Sequence, residues 1–152
     1  MIYSSTDIIL CFAGIGRSFY YKTGSNSSFA MDVDPDRKDL AKFIDGIIET
    51  KSLKRYRYIL LPMDLEIKAL LDERKVSYVV AMPEIFDMGE WIRRWWKSNA
   101  TAEQIESRIA EFERIDMEDS SGSWKDVPTI YLKSDEWLGN VLSQNPNEVS
   151  KE

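Results

Sequence analysis

The hydrophobic positions of the chain form two alternating patterns: short apolar runs, and longer segments with an apolar residue every three or four positions. A short run that is apolar at nearly every position predicts a buried strand, and the longer periodic segments predict helices. The strand-like runs occupy residues 8–12, 29–33, 58–61, 76–82 and 129–132. Four helix-like segments occupy residues 17–23, 36–50, 64–74 and 91–96. Another contains the apolar stripe Ile105, Ile109 and Phe112, and a last one begins at residue 134 or 135. A polar loop is predicted at 118–126.

The order of these segments predicts an α/β fold. Strands and helices alternate, and the strands are continuous apolar runs, which is typical of a parallel sheet covered by helices on both faces. With 152 residues, the chain is expected to form one three-layer domain over residues 1–143, followed by a flexible polar tail at 144–152. In such folds, ligands bind at the carboxyl ends of the strands.

Three of the predicted helices begin with residues suited to capping. Asp64 is a candidate N-cap, because its carboxylate can accept hydrogen bonds from the first free backbone N–H groups. Thr101 and Gln104 have the spacing of a capping box, and Asp87 and Glu90 have a variant of it.

Composition and charge exclude several classes of function. Apolar residues make up 43% and charged residues 30% of the chain, and the net charge is −6. This balance argues against nucleic-acid binding, which needs a basic face. No apolar stretch approaches the roughly 20 residues that span a membrane, and no positive charge precedes the apolar run at 8–15, so a cytoplasmic location is expected.

The chain has one cysteine and no histidine. An internal disulfide, Ser-His-Asp catalysis and histidine-ligated zinc are therefore excluded. Phosphoryl transfer remains possible, because it depends on positioning, cations and a metal more than on a histidine base.

The first strand runs directly into Phe-Ala-Gly-Ile-Gly-Arg-Ser, residues 12–18, which we call the glycine loop. An apolar strand, a glycine turn, and then a cation and a hydroxyl at a helix start form the layout of a phosphate-binding loop. The expected phosphate-binding residues are Gly14, Ile15, Gly16, Arg17 and Ser18. An ordinary strand-to-helix turn with a surface arginine is the alternative.

Three acidic residues lie at the carboxyl ends of predicted strands and are therefore candidates for the same edge of the sheet. Asp32 and Asp34 could bind Mg²⁺ or hydrogen-bond a substrate base or ribose, or could serve only the turn before Pro35. Asp64 could be an acidic partner at the neighbouring strand, although an N-cap role is the preferred interpretation.

An arginine pair, Arg93 and Arg94, lies among three tryptophans on a predicted amphipathic helix. The two guanidinium groups could bind anionic oxygens; alternatively they form a solvated face while Trp91 and Trp95 pack as an i, i+4 pair. Trp96 could stack on a nucleobase, but a core or interface role is favoured. Cys11, inside a strand, is predicted to be a buried hydrophobe.

Together these features resemble P-loop nucleoside-monophosphate kinases, most closely a small bacterial and phage-encoded branch related to deoxynucleotide kinases. The resemblance is carried by FAGIGRS at 12–18, AMDVD at 30–34, residues 56–84, EWIRRW at 90–95 and IYLKSDEWLGNVL at 130–142. It implies a sheet of order 2-3-1-4-5, with ATP phosphates at the glycine loop.

The resemblance also implies roles for single residues. Gly14, Gly16, Arg17 and Ser18 would form the donor site, with Ser18 contacting Mg²⁺. Arg93 and Arg94, together with Lys97, would belong to a mobile lid helix near residues 87–98. The chain departs from the family pattern at Cys11, where a glycine is usual, and at Arg17, where a lysine is usual.

Three functions are compatible with these features. The first is transfer of the ATP γ-phosphoryl group to a (deoxy)nucleoside monophosphate, with Arg17, Arg93 and Arg94 as catalytic residues. The second is a binding module that holds a nucleotide without turnover, for example a phage-encoded protein that sequesters a nucleotide signal. The third is an interaction protein, with residues 91–96 as a partner or homodimer surface.

Overall fold

The computed structural model describes residues 3–15, 30–84, 88–133, 138 and 142. Within these residues, five strands form one parallel sheet of order β2-β3-β1-β4-β5. The strands are β1 (Asp7–Cys11), β2 (Ala30–Asp32), β3 (Tyr58–Pro62), β4 (Val79–Pro83) and β5 (Thr129–Leu132). The α/β prediction and the expected strand order are both confirmed.

Strand β1 lies at the centre of the sheet, between β3 and β4. Consecutive strand residues point to opposite faces, and all four residues from Ile8 to Cys11 are buried, so both faces of the sheet are covered. From β1 the chain continues to β2 on one side, and from β4 it continues to β5 on the other. The carboxyl ends of β1 and β4 therefore flank the point where the connections diverge, which is where open α/β sheets bind ligands.

The helices of the described part are α1 (Leu40–Leu53), α2 (Leu65–Glu73), α3 (Met88–Lys97) and α4 (Ala102–Ser120). Two predicted caps are present. The Asp64 carboxylate accepts hydrogen bonds from the N–H groups of Glu66 and Ile67, and Thr101 and Gln104 form a complete capping box.

Several predicted boundaries were wrong, among them three that differ by three or four residues at one end of an element. Helix α1 begins at Leu40 instead of residue 36, because Asp39 caps it. Strand β4 begins at Val79 instead of residue 76, because the Val76 N–H still bonds to a carbonyl of α2. Helix α4 continues to Ser120, so residues 118–120 of the predicted polar loop are helical.

Several predictions fall outside the described residues. They concern the helix at 17–23, the cap at Asp87, most of the last helix and the tail at 144–152. Of the last segment, Leu138 and Leu142 are described, and both are buried.

Candidate functional site

The glycine loop begins at the carboxyl end of β1. The Phe12 N–H donates to the carbonyl of Ala81 in β4 (2.9 Å), and the Met63 N–H, just after β3, donates to the carbonyl of Cys11 (3.0 Å). The backbone then turns at Gly14, where φ is +87°. The turn therefore leaves the sheet at the point where the connections diverge.

Helix α3 packs on this turn through Trp95. The Trp95 indole N–H donates a hydrogen bond to the Gly14 carbonyl (2.9 Å), and its side chain is fully buried. The ring lies nearly parallel to Phe12, with centroids 6.5 Å apart, and tilted against Trp91 at 6.2 Å. The helix that the resemblance assigns to a mobile lid is therefore attached to the first glycine by its inner face.

A second side chain that packs on Gly14 is Arg108 of α4. Its guanidinium carbon lies 5.4 Å from the centre of the Trp95 ring. A Cβ atom at Gly14 would lie 2.8 Å from both Cδ and Nε of Arg108, and 2.8 Å from Nε1 of Trp95. Any other residue at position 14 is therefore disfavoured for two reasons, the positive backbone angle and the displacement of Arg108 and Trp95 that a Cβ atom would require.

Sequence reasoning missed Arg108, although the sequence contained a signal. Ile105, Arg108, Ile109 and Phe112 follow the i, i+3, i+4, i+7 spacing of an inward-facing stripe, so a cation occupies a position where an apolar residue is expected. Burial lowers the pKa of the Arg108 guanidinium, and the charge of Glu111 partly opposes this by raising it. Within the described residues, Arg108 makes no hydrogen bond or ion pair.

The two arginines predicted for the lid make other contacts. Arg93 is exposed and forms an ion pair with Glu90 one turn earlier (3.1 Å). The guanidinium of Arg94 lies 4.4 Å from the centre of the Trp91 ring. Lys97 is exposed at the end of α3. The Glu90 partner of Arg93 and the Trp91 ring beneath Arg94 both belong to α3, whereas Arg108 contacts the glycine loop at Gly14.

The predicted acidic residues lie at different levels of the sheet. Asp32 pairs with Leu60, which also pairs with Ile9, so Asp32 lies two residues below the end of β1. Asp34 is exposed beyond the end of β2, two strand spacings, or about 10 Å, to the side of β1.

Asp64 has the N-cap role that was favoured from the sequence. Besides capping α2, its carboxylate accepts a hydrogen bond from Arg37 (2.9 Å). Because both carboxylate oxygens have donors, Asp64 is explained as a structural residue.

The remaining predicted site residues, Gly16, Arg17 and Ser18, lie outside the described part of the chain. Ile15 is described and fully buried, and its carbonyl accepts a hydrogen bond from the N–H of Leu138 (2.8 Å). Over the ranges that the structure covers, no group of three or more His, Cys, Asp or Glu residues could hold a metal ion.

The tryptophans of α3 divide into two kinds. Trp91 and Trp95 are fully buried, whereas Trp96 is 54% exposed. The two buried rings belong to the core, so they cannot anchor a partner surface. Trp96 is too exposed for the core role that was considered for it, and that prediction was wrong. Cys11 is buried within β1, as predicted. None of the described helices is long and apolar enough to span a membrane.

No protein-family model matches this chain, and no curated protein matches it. A solved structure that is similar is a de novo designed protein with the P-loop NTPase fold, determined by solution NMR. It is 14% identical, and the match covers 76% of this chain and 94% of that one at a TM-score of 0.35. A similarity at that TM-score supports no argument about function, and the fold assignment here depends on the strand order and pairing.

Proposed function

We propose that the protein binds the phosphate groups of a nucleotide at the glycine loop, and that it transfers the γ-phosphoryl group of ATP to a (deoxy)nucleoside monophosphate. The observation that carries the binding part is the turn at Gly14. A positive φ of +87° directly after the central strand changes the direction of the backbone, and successive N–H groups in such a turn can converge on an anion.

The donor site in this proposal uses the loop. The backbone N–H groups of Ile15 and Gly16 bind phosphate oxygens, because Gly14 lets the chain approach closely. Arg17 supplies a positive charge with fork-shaped geometry. Ser18 would contact Mg²⁺ and Asp34 would reach it through water, since Mg²⁺ usually takes few ligands from the protein and the rest from phosphates and water. The ion would neutralise charge on the phosphates.

The other candidate residues would bind the acceptor nucleotide and the phosphoryl group that is transferred. Asp32 is the last residue of the edge strand β2 and Asp34 follows it, and both would hydrogen-bond a nucleoside base or ribose there. Arg93 can exchange its exposed partner Glu90 for a phosphate, since a surface ion pair contributes only about 0–1 kcal/mol. Arg93 and Arg94 would then stabilise the charge that spreads over the equatorial oxygens in the transition state.

The test is a coupled assay with ATP, Mg²⁺ and a panel of ribo- and deoxynucleoside monophosphates. Turnover well above that of Arg17→Ala is expected for at least one acceptor. Turnover no greater than that of the variant with every acceptor contradicts the kinase proposal.

Nucleotide binding without turnover is the second candidate, and the position of Cys11 favours it. In the full phosphate-loop pattern the first glycine would stand at this position. Here Cys11 is a buried strand residue paired with Pro62 and Ala81. The first glycine of the loop, Gly14, therefore stands three residues later than in the full pattern. Calorimetry with mono-, di-, tri- and cyclic nucleotides, followed by chromatography of the recovered ligand, separates the two candidates: tight binding of unchanged ligand supports the second.

A further inference from the structure

Arg108 is a positive charge placed in an apolar environment. Its neighbours in the stripe of α4 are Ile105, which is buried, and Ile109 and Phe112, which pack on the core. Its stem lies against Gly14, and its head lies over the Trp95 ring. Partial burial of a guanidinium costs free energy unless an anion or hydrogen-bond acceptors compensate it.

Other arginines in the described part of the chain have such compensation. Arg37 pairs with Asp64 (2.9 Å), and Arg93 pairs with Glu90 (3.1 Å). On the same helix as Arg108, Arg114 pairs with Glu118 (2.7 Å). Arg108 lies over the Trp95 ring and forms no ion pair with an acid among the described residues. The nearest acid along its helix, Glu111, acts on it only by its charge and pairs with Arg114 (3.7 Å).

We propose that Arg108 binds phosphate beside the turn at Gly14, and that it is supplied by a helix more than ninety residues later in the chain. The inference deepens the proposed function and depends on it. Arg108 would bind the phosphate chain of the nucleotide from the α4 side, while the backbone N–H groups of the turn at Gly14 and Ile15 bind it from the β1 side. A planar guanidinium on an aromatic ring is held in one orientation, so little conformational entropy is lost when it binds an anion.

The alternative is that Arg108 is only a packing residue, whose stem covers Trp95 while its head lies in water. The two roles differ in what a neutral side chain of similar length does. Methionine keeps the packing on Trp95 and removes the charge. If Arg108 only packs, the Arg108→Met protein should therefore bind nucleotide almost as tightly as the wild type. If Arg108 binds phosphate, the Arg108→Met protein should lose affinity for every polyphosphate. The Arg108→Lys protein should keep part of that affinity, because lysine retains the charge.

The experiment is calorimetric titration of the full chain with ATP and with inorganic pyrophosphate at two salt concentrations. The variants are Arg108→Met, Arg108→Gln and Arg108→Lys, with Arg114→Met as the matched control on the same helix. We expect Arg108→Met and Arg108→Gln to weaken the binding of both probes at least tenfold and to reduce its dependence on salt. Arg108→Lys should recover part of the loss, and Arg114→Met should stay within twofold of the wild type.

The outcomes separate the inference from the function on which it depends. If the wild type binds ATP, and whichever neutral Arg108 variant remains folded by circular dichroism binds it equally well, the inference is wrong and the proposed function stands. If the wild type binds neither probe, both are wrong. If the wild type binds pyrophosphate in an Arg108-dependent manner but shows no preference for ATP, the anion site is correct and the nucleotide proposal is wrong.

Discussion

The indole N–H of Trp95 donates a hydrogen bond of 2.9 Å to the carbonyl of Gly14, a residue 81 positions earlier in the chain. This contact joins the inner face of α3 to the first glycine of the loop. Because Trp95 is fully buried, lifting the whole helix would expose a large aromatic side chain and break the bond. Any lid movement of α3 is therefore expected to leave Trp95 in place and to involve its outer residues, Arg93 and Lys97.

Replacing the indole tests the strength of this connection. Trp95→Phe should lower the free energy of unfolding by about 2–3 kcal/mol, because it leaves a cavity and a carbonyl without its donor. Trp96→Phe is the matched control, since Trp96 is 54% exposed on the same helix and should change the value by less than about 0.5 kcal/mol. Urea denaturation measures both, and equal losses would show that the contact contributes nothing.

Two glycines with nearly the same backbone angle test the crowding at the loop. Gly14 has φ +87°, and a Cβ atom added there would lie 2.8 Å from three side-chain atoms, whereas Gly122 has φ +88° and open space within 4 Å. Gly122→Ala should cost about 1–2 kcal/mol from the backbone alone. Gly14→Ala should cost at least about 1 kcal/mol more, because Arg108 and Trp95 must move. Denaturant unfolding of the two variants gives the difference, and similar losses would contradict the close packing.

The capping box at the start of α4 provides a third test. Thr101→Ala removes the side-chain acceptor for the Gln104 N–H and should lower the free energy of unfolding by about 0.5–2 kcal/mol. Ser107→Ala, at an exposed position inside the same helix, is the control and should be neutral or slightly stabilising. Thermal and urea unfolding of both variants check this, and a neutral Thr101→Ala would mean that the helix start frays in solution.

Tyr78 gives the molecule a defined response to alkaline pH. Burial raises the pKa of its phenol above the ordinary value of 10.0, and the hydrogen bond to Asp72 with its negative charge raises it further. A folded-state pKa above the unfolded one gives stability that is complete below pH 10 and is lost as the pH rises through the folded-state value.

The wild type should therefore lose stability as the pH rises above 10, and Tyr78→Phe should lose less over the same range. Tyr131→Phe, at a 52% exposed position, serves as the control and should follow the wild type. Urea unfolding at each pH measures the free energies. Parallel curves for wild type and Tyr78→Phe would mean that the phenol titrates alike in the folded and unfolded chain.

Much of the fold could be predicted because its determinants are local. Continuous apolar runs indicated the strands, and single residues such as Asp64 and Thr101 indicated helix starts. The wrong boundary of α1 was also local in origin: the Asp36 carboxylate accepts a hydrogen bond from the Lys38 N–H (3.0 Å), which favours a turn and leaves the cap to Asp39.

The candidate site was harder to predict because it depends on contacts between distant parts of the chain. The glycine turn after β1 was visible in the sequence, but its neighbours Trp95 and Arg108 come from two different helices. Periodicity assigns both to an inward face without saying what they meet there. For Arg108 the apolar stripe of α4 was the available signal, since a cation at an inward position needs an explanation.

The hydrogen bond from the Leu138 N–H to the Ile15 carbonyl (2.8 Å) has a consequence for how the protein is made. Residues 14 and 15 leave the ribosome well before the groups that fix them, which arrive with residues 95, 108 and 138. A nascent or truncated chain that stops before residue 138 should therefore lack part of the support of its first loop, and ligand affinity should develop only once that residue has emerged.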